Sequence, residues 1–206
     1  MSHESSPEFR TFHALRVKGF AGVEILSEMT GHETSVVDDH LAERRERGHA
    51  QFREARSLWQ LTPDGRSAHV DELALDLEGI DTEAVLGEHY PEFIHFNVAF
   101  KDLCGEWQLR DGTPNDHSDP EYDAAVIDRL GELHAESRPV VEAMGGTIRR
   151  LGPYAVRLDG AIECVRSGDV TKFTGVMCGS YHDIWMELHE DLILTQGIDR
   201  AAEGSF

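Results

Sequence analysis

The 35 residues from His32 to Arg66, HETSVVDDHLAERRERGHAQFREARSLWQLTPDGR, leave the chain few ways to fold. Thr34 and Ser35 are good helix caps, Val36 to Arg47 is built of helix formers with apolar residues three to four apart, and Gly48 supplies a left-handed stop. His49–Glu54 and Ser57–Thr62 then read as two strands paired around Ala55-Arg56. Thr62-Pro63-Asp64-Gly65-Arg66 breaks the sheet and opens another helix. Helix, hairpin, helix is therefore the expected order.

Upstream, Phe9–Gly19 and Val23–Thr30 read as two short helices, the second ended by Gly31. With these the pattern becomes an N-terminal winged helix-turn-helix with a two-stranded wing. His13-Ala14-Leu15-Arg16-Val17-Lys18-Gly19-Phe20-Ala21, Trp59-Gln60-Leu61-Thr62-Pro63-Asp64-Gly65-Arg66 and the segment Ser180 to Leu192 (SYHDIWMELHEDL) carry a further likeness. In them the chain resembles winged-helix transcriptional regulators of the MarR type, and more closely actinobacterial proteins of that description. The resemblance implies a transcription factor that binds double-stranded DNA.

The second half reads as helices throughout, so the expected fold is mainly α. Three segments are anticipated: a disordered tail over 1–8, a winged helix over 9–78 and a helical dimerisation and sensing domain over 79–206. Val70, Leu73, Leu75 and Leu77 are the apolar positions of the fourth helix. Pro91–Leu109 carries Phe93, Ile94, Phe96, Val98, Phe100, Leu103 and Trp107 and should be the buried hub of a bundle of four or five helices. Arg110–Ser118 is a loop by composition, and Asp119-Pro120 opens a helix to about Met144 that Pro139 should kink and Gly145-Gly146 should end. Thr147–Ser167 reads as one helix with a possible break at Gly152-Pro153, and Phe173–Gly179 as extended or coil. Ser180 caps a last helix to Thr195.

Charge pulls against the DNA reading. The chain carries 39 acidic and 19 basic residues, a net charge of -20, and affinity for a duplex is dominated by cations that neutralise phosphate. Residues 1–70 hold 9 Lys or Arg against 11 Asp or Glu, whereas residues 71–206 hold 10 against 28, so most of the excess lies in the second half. On the helix 36–47, Val37, Leu41 and the stem of Arg44 should face inward, leaving Asp38, Asp39, Ala42, Glu43 and Glu46 outward with Arg45 at their edge. If the domain reads DNA, Thr34, Ser35, His40 and Arg45 are the candidates to read or position the duplex, while Arg53 and Arg56 of the wing grip phosphate. Otherwise Arg44 and Arg47 pair with neighbouring carboxylates on a solvated helix.

Candidate ligand chemistry lies in the second half. His182, Met186, His189 and Ile193 form a stripe on the last helix, from which Asp183, Glu187 and Asp191 point away. The two histidines are seven residues apart, about 10.5 Å along a helix, too far to share one ion without help from His95, His134 or Glu163. Core histidines are the expectation, with no metal. On the hub helix Asn97, Lys101 and Cys104 share a face near Trp107, and Lys101 should open to a pocket or meet an acid such as Glu187 or Asp191. Convergence of Asn97, Lys101, Trp107, Tyr154, Arg157, His182, Met186 and His189 would suit a small, anionic or carboxylated molecule.

No nucleophile elbow, phosphate-cradling glycine loop or dinucleotide fingerprint is present, so no cofactor or catalytic residue is assigned. Three separated cysteines without a CxxC pair suit reduced thiols. The absence of a long apolar run and of a signal-like N-terminus points to a soluble, cytoplasmic protein with no membrane contact. The leading expectation is thus a homodimeric regulator that senses a small anion and sets its two readers to half-sites about 34 Å apart. The alternative is a repurposed winged-helix scaffold that ignores DNA and binds small molecules, or acts on them, in specialised metabolism. A blander third is a protein-interaction adaptor.

Overall fold

The computed structural model describes residues 2–198, which form ten α-helices and two short antiparallel strand pairs. Residues 199–206 of the expected second domain lie outside the described residues. The first half comprises α1 (Pro7–Lys18), α2 (Val23–Thr30), α3 (Thr34–Glu46), β1 (Ala50–Arg53), β2 (Leu58–Leu61) and α4 (Pro63–Asp76). Ser6 caps α1 and Thr62 caps α4, each through a side-chain oxygen that accepts a first-turn N–H. The hairpin runs in the register Ala50↔Leu61 to Arg53↔Leu58, and Ala21 pairs with Trp59 through two backbone hydrogen bonds. Leu15, Leu26, Val37, Leu41 and Leu61 fill the core beneath.

Arg44 occupies a core position on α3, as a stem of that length can when its head is paired. Its guanidinium grips Glu72 bidentately at 2.5 and 2.7 Å and lies 3.9 Å above the Phe12 ring. α3 begins two residues earlier than its sequence suggests: Glu33 stands at the cap, and Thr34 and Ser35 lie within the first turn without capping it. Of the apolar positions of α4, Leu73 is buried, whereas Val70 and Leu75 are 64% and 69% exposed.

The second half contains α5 (Thr82–Leu86), α6 (His89–Gln108), β3 (Leu109–Arg110), β4 (Thr113–Pro114), α7 (Pro120–Thr147), α8 (Gly152–Arg166), α9 (Thr171–Thr174) and α10 (Tyr181–Gln196). Its core is aromatic at the contact of α6 with α10, where Phe93 stacks on Trp185 at 4.9 Å and Trp185 Nε1 donates to Asn97 Oδ1 at 3.0 Å. α7 runs through Pro139 and past Gly145-Gly146. Those glycines are not a stop: a Cβ on Gly145 would lie 2.6 Å from Gly152 Cα, so Gly145 admits the start of α8. The segment expected as one helix over 147–167 divides into a 3-10 turn (Arg149–Leu151) and α8. Part of the 173–179 coil is helical in α9, and the loop after α6 holds the β3–β4 pair.

The stretch expected to fray at the N-terminus is tied down. His3 exchanges backbone hydrogen bonds with Thr147 and Arg149, and Ser5 Oγ donates to Asp76 at 2.8 Å. These groups find partners in both halves at once.

One close approach tests the first half. A Cβ on Gly65 would lie 1.9 Å from the His49 carbonyl oxygen, so nothing larger than glycine fits where α4 leaves the hairpin. Gly65→Ala should destabilise the protein by about 1–3 kcal/mol through forced backbone shift, measured as a lowered urea midpoint at unchanged slope.

Candidate functional site at the seam between the halves

Each half has its own apolar core, and a layer of buried polar side chains separates the two. α10 is the reason. Trp185, Leu188 and Leu192 face the bundle, while Asp183, Glu187, Asp191 and, beside them, Glu190 present carboxylates at helical spacing to α1. The side of α10 expected to point away from the interior is therefore covered by the first half. Lys18 Nζ lies 2.5 Å from Glu187 Oε1 and 3.9 Å from Asp183, Arg16 pairs with Glu190 at 3.1 Å, and Arg157 from α8 takes the other Glu187 oxygen at 2.7 Å.

Asp191 is at the centre. Tyr154 donates to Oδ2 at 3.2 Å and Thr195 to Oδ1 at 3.1 Å, while His13 Nε2 stands 3.0 Å and Arg150 Nε 3.4 Å from Oδ1. Neither the His13 nor the Arg150 N–H is aligned for a hydrogen bond, so these two are charge contacts. Burial opposes ionisation of Asp191, but His13 and Arg150 outweigh it and hold the carboxyl well below its ordinary range. His13 Nδ1 lies 2.9 Å from His69 Nε2. Burial, with His13 and Arg16 adding to it, pushes His69 down to about 2, so that ring is neutral. Burial and the neighbouring carboxylates push Tyr154 up, keeping its hydroxyl a donor.

Beside this network a cleft of about 440 Å³ opens between α1 and α10, lined by Arg16, Lys18, Phe20, Arg66, His182 and Met186 among others. Burial lowers His182, and its Nδ1 is sealed from solvent without a hydrogen-bond partner. Of the residues anticipated as a ligand site, Tyr154, Arg157, His182 and Met186 gather at this seam. Asn97 and His189 are inside the bundle, Trp107 packs on Phe173 at 4.9 Å, and Lys101 is on the exposed side of α6. The acids expected to meet Lys101 are met by Lys18, Arg157, His13 and Arg150 instead. His13, Lys18, His69 and Arg150 were not legible as site residues. The available signal was the carboxylate every fourth residue at 183, 187 and 191 on an otherwise apolar helix, which demands cations from another element.

On the opposite end of the first half, Thr34, Ser35, Arg45, Arg53 and Arg56 are exposed. His40 is not directed outward: its Nδ1 shares a hydrogen bond with Thr11 Oγ1 at 2.9 Å. A recess of about 680 Å³ between α3 and the hairpin is lined by Asp38, Asp39, Glu46, Ala42, Arg45 and Trp59. Arg47 pairs with Glu43 at 3.5 Å, and Arg56 sits 5.7 Å from the Phe20 ring. Among the described residues no group of three or more His, Cys, Asp or Glu is placed to hold a metal, and no helix is long and apolar enough to cross a membrane. No protein-family model, curated protein or solved structure matches the chain.

Two measurements check the seam. Asp191→Asn leaves His13 and Arg150 facing a neutral amide and should cost about 3–5 kcal/mol. His69 has the larger pH signature. Its folded pKa is below its unfolded value of about 6.5, so between those values the unfolded state binds one more proton and stability falls as pH is lowered. The slope is about 1.4 kcal/mol per pH unit below pH 6, and His69→Gln should flatten the profile by that amount in urea titrations from pH 6.5 to 5.

Proposed function

We propose that this chain is a winged-helix protein that binds a small anion at the seam of its two halves and does not read DNA through α3. The winged-helix reading is supported by the order α1–α2–α3–β1–β2–α4 and by the Ala21–Trp59 pairing, which sets a third backbone segment beside the hairpin.

The observation that carries the functional reading is the outward face of α3. There Asp38, Asp39, Glu43 and Glu46 stand against Arg45, with Arg47 already paired to Glu43. Carboxylates aimed at phosphates oppose approach by roughly 1 kcal/mol per close pair even in water, and no counterion release repays them.

The seam cleft is evenly balanced, with Arg16, Lys18 and Arg66 against Asp183, Glu187 and Glu190. Its carboxylates are used: Glu187 by Lys18 and Arg157, Glu190 by Arg16, and Asp183 by the backbone N–H groups of Cys178 and Gly179. Arg66 makes no ion pair among the described residues, and neutral His182 adds an imidazole beside it. An anionic head would meet those two, and an apolar arm would meet Phe20, Met177 and Met186.

The second reading, a homodimeric DNA-binding regulator, is favoured by the exposed Arg53 and Arg56 of the hairpin. In gel shifts with the DNA upstream of its own gene at 50 mM salt, the full chain should give no protected site, and protection lost on replacing Arg53 and Arg56 would overturn the proposal. Thermal shifts against a panel of small carboxylates and phosphate monoesters should find one that stabilises the protein by about 2.7 kcal/mol at a hundredfold excess over Kd. Arg66→Gln should abolish that shift.

A further inference from the structure

On the other side of the Arg16–Glu190 pair lies a second recess, a groove of about 540 Å³ between α4 and the end of α10. Its walls are mainly aliphatic, with Val70, Leu73 and Leu77 from α4 and its cap, Ile80 beyond it, and Ile193 and Leu194 from α10, and the neutral polar groups of Thr82, Thr195 and Gln196 beside them. Among the described residues no Phe, Tyr or Trp and no carboxylate lines it, and its one ring is the His69 imidazole. The chain has a net charge of -20, yet the one formally charged group among the described residues of this lining is Arg16. His69, the remaining basic residue there, is held neutral by its burial. Val70, 64% exposed, accounts for part of the apolar surface left open to water.

We propose that this groove is a binding site for an alkyl-chain carboxylate, its head on Arg16 and its chain along α4. The volume falls within the range of small-molecule sites, roughly 300–1,000 Å³. The α4 wall from His69 to Leu77 extends about 12 Å at 1.5 Å per residue, which suits a linear chain better than a compact ring. The described lining has no Phe, Tyr or Trp, and its one ring, His69, is already packed on Phe9 and Phe12, so an aromatic acid finds little to stack on. The guanidinium matches a carboxylate in geometry, and Glu190 Oε1 at 3.1 Å from Nη1 is the internal carboxylate with which the ligand head competes. This site shares Arg16 with the seam cleft but has its own apolar walls, and it stands whether or not that cleft takes an anion.

The test is calorimetric titration of the full chain with hexanoate, octanoate and decanoate below their micelle concentrations. Affinity should rise about fifteenfold for each two-carbon step, from about 0.8 kcal/mol per buried methylene. Decyltrimethylammonium, with the same chain and the opposite charge, should not bind. Ala74→Trp fills the groove from an exposed helix position and should abolish decanoate binding with an unchanged circular dichroism spectrum. Arg16→Gln should weaken it at least tenfold, Glu190→Gln should tighten it, and Arg66→Gln in the seam cleft should leave it unchanged. Affinity independent of chain length, equal binding of the cationic amphiphile, or full binding by the Ala74→Trp protein would each overturn the proposal.

Discussion

The carboxylate of Asp191 belongs to α10, yet its charge is answered from both halves of the molecule. His13 comes from α1, Arg150 from the turn before α8, and Tyr154 and Thr195 supply hydroxyls. A charge so far from water is costly, and a well-packed apolar layer in its place would be as stable or more so. What the polar layer supplies is register. An apolar seam between α1 and α10 would tolerate sliding, because dispersion and the hydrophobic effect have little direction. Here a shift by one helical turn would carry Asp191 away from His13, and also Glu187 from Lys18 and Glu190 from Arg16. The halves are thus fixed in one alignment by interactions that exist only together.

That arrangement also explains where the cations of an acidic chain have gone. Of the nine basic residues in the first seventy, Arg16 and Lys18 are spent on α10 and Arg44 on Glu72. The hairpin keeps Arg53 and Arg56, and α3 keeps Arg45, but no basic belt remains to face a polyanion. The seam and the outward face of α3 draw on one small supply of positive charge, and the seam holds the cations at closer range and in lower dielectric, where each is worth more.

Much of the local structure is legible in the chain. Val23–Thr30 closes at Gly31 in a left-handed conformation, and Ser180 caps α10 through the Asp183 N–H, as their side chains require. The errors have physical causes. Gly145-Gly146 has the composition of a stop, but its missing Cβ serves the approach of α8, a packing reason that a local pattern does not contain. Apolar spacing on α4 does not by itself say which positions find a covering element: Leu73 does, and Val70 and Leu75 are exposed. The ligand residues drawn from the second half alone gave Lys101 a role taken by Lys18, because 169 residues separate Lys18 from Glu187 and periodicity carries no information across that distance.

The two imidazoles beside Asp191 decide how far the seam can respond to its surroundings. With Nδ1 of His13 at 2.9 Å from Nε2 of His69, the pair shares one hydrogen, and a proton on both facing nitrogens would set two donors against each other. Asp191 stands 3.0 Å from the other nitrogen of His13, while burial above all keeps a proton off His69. His69 also lines the α4–α10 groove, and Arg16, which helps keep it neutral, lines both the groove and the seam cleft. One guanidinium therefore borders both recesses and belongs to the ion pairs that align the halves.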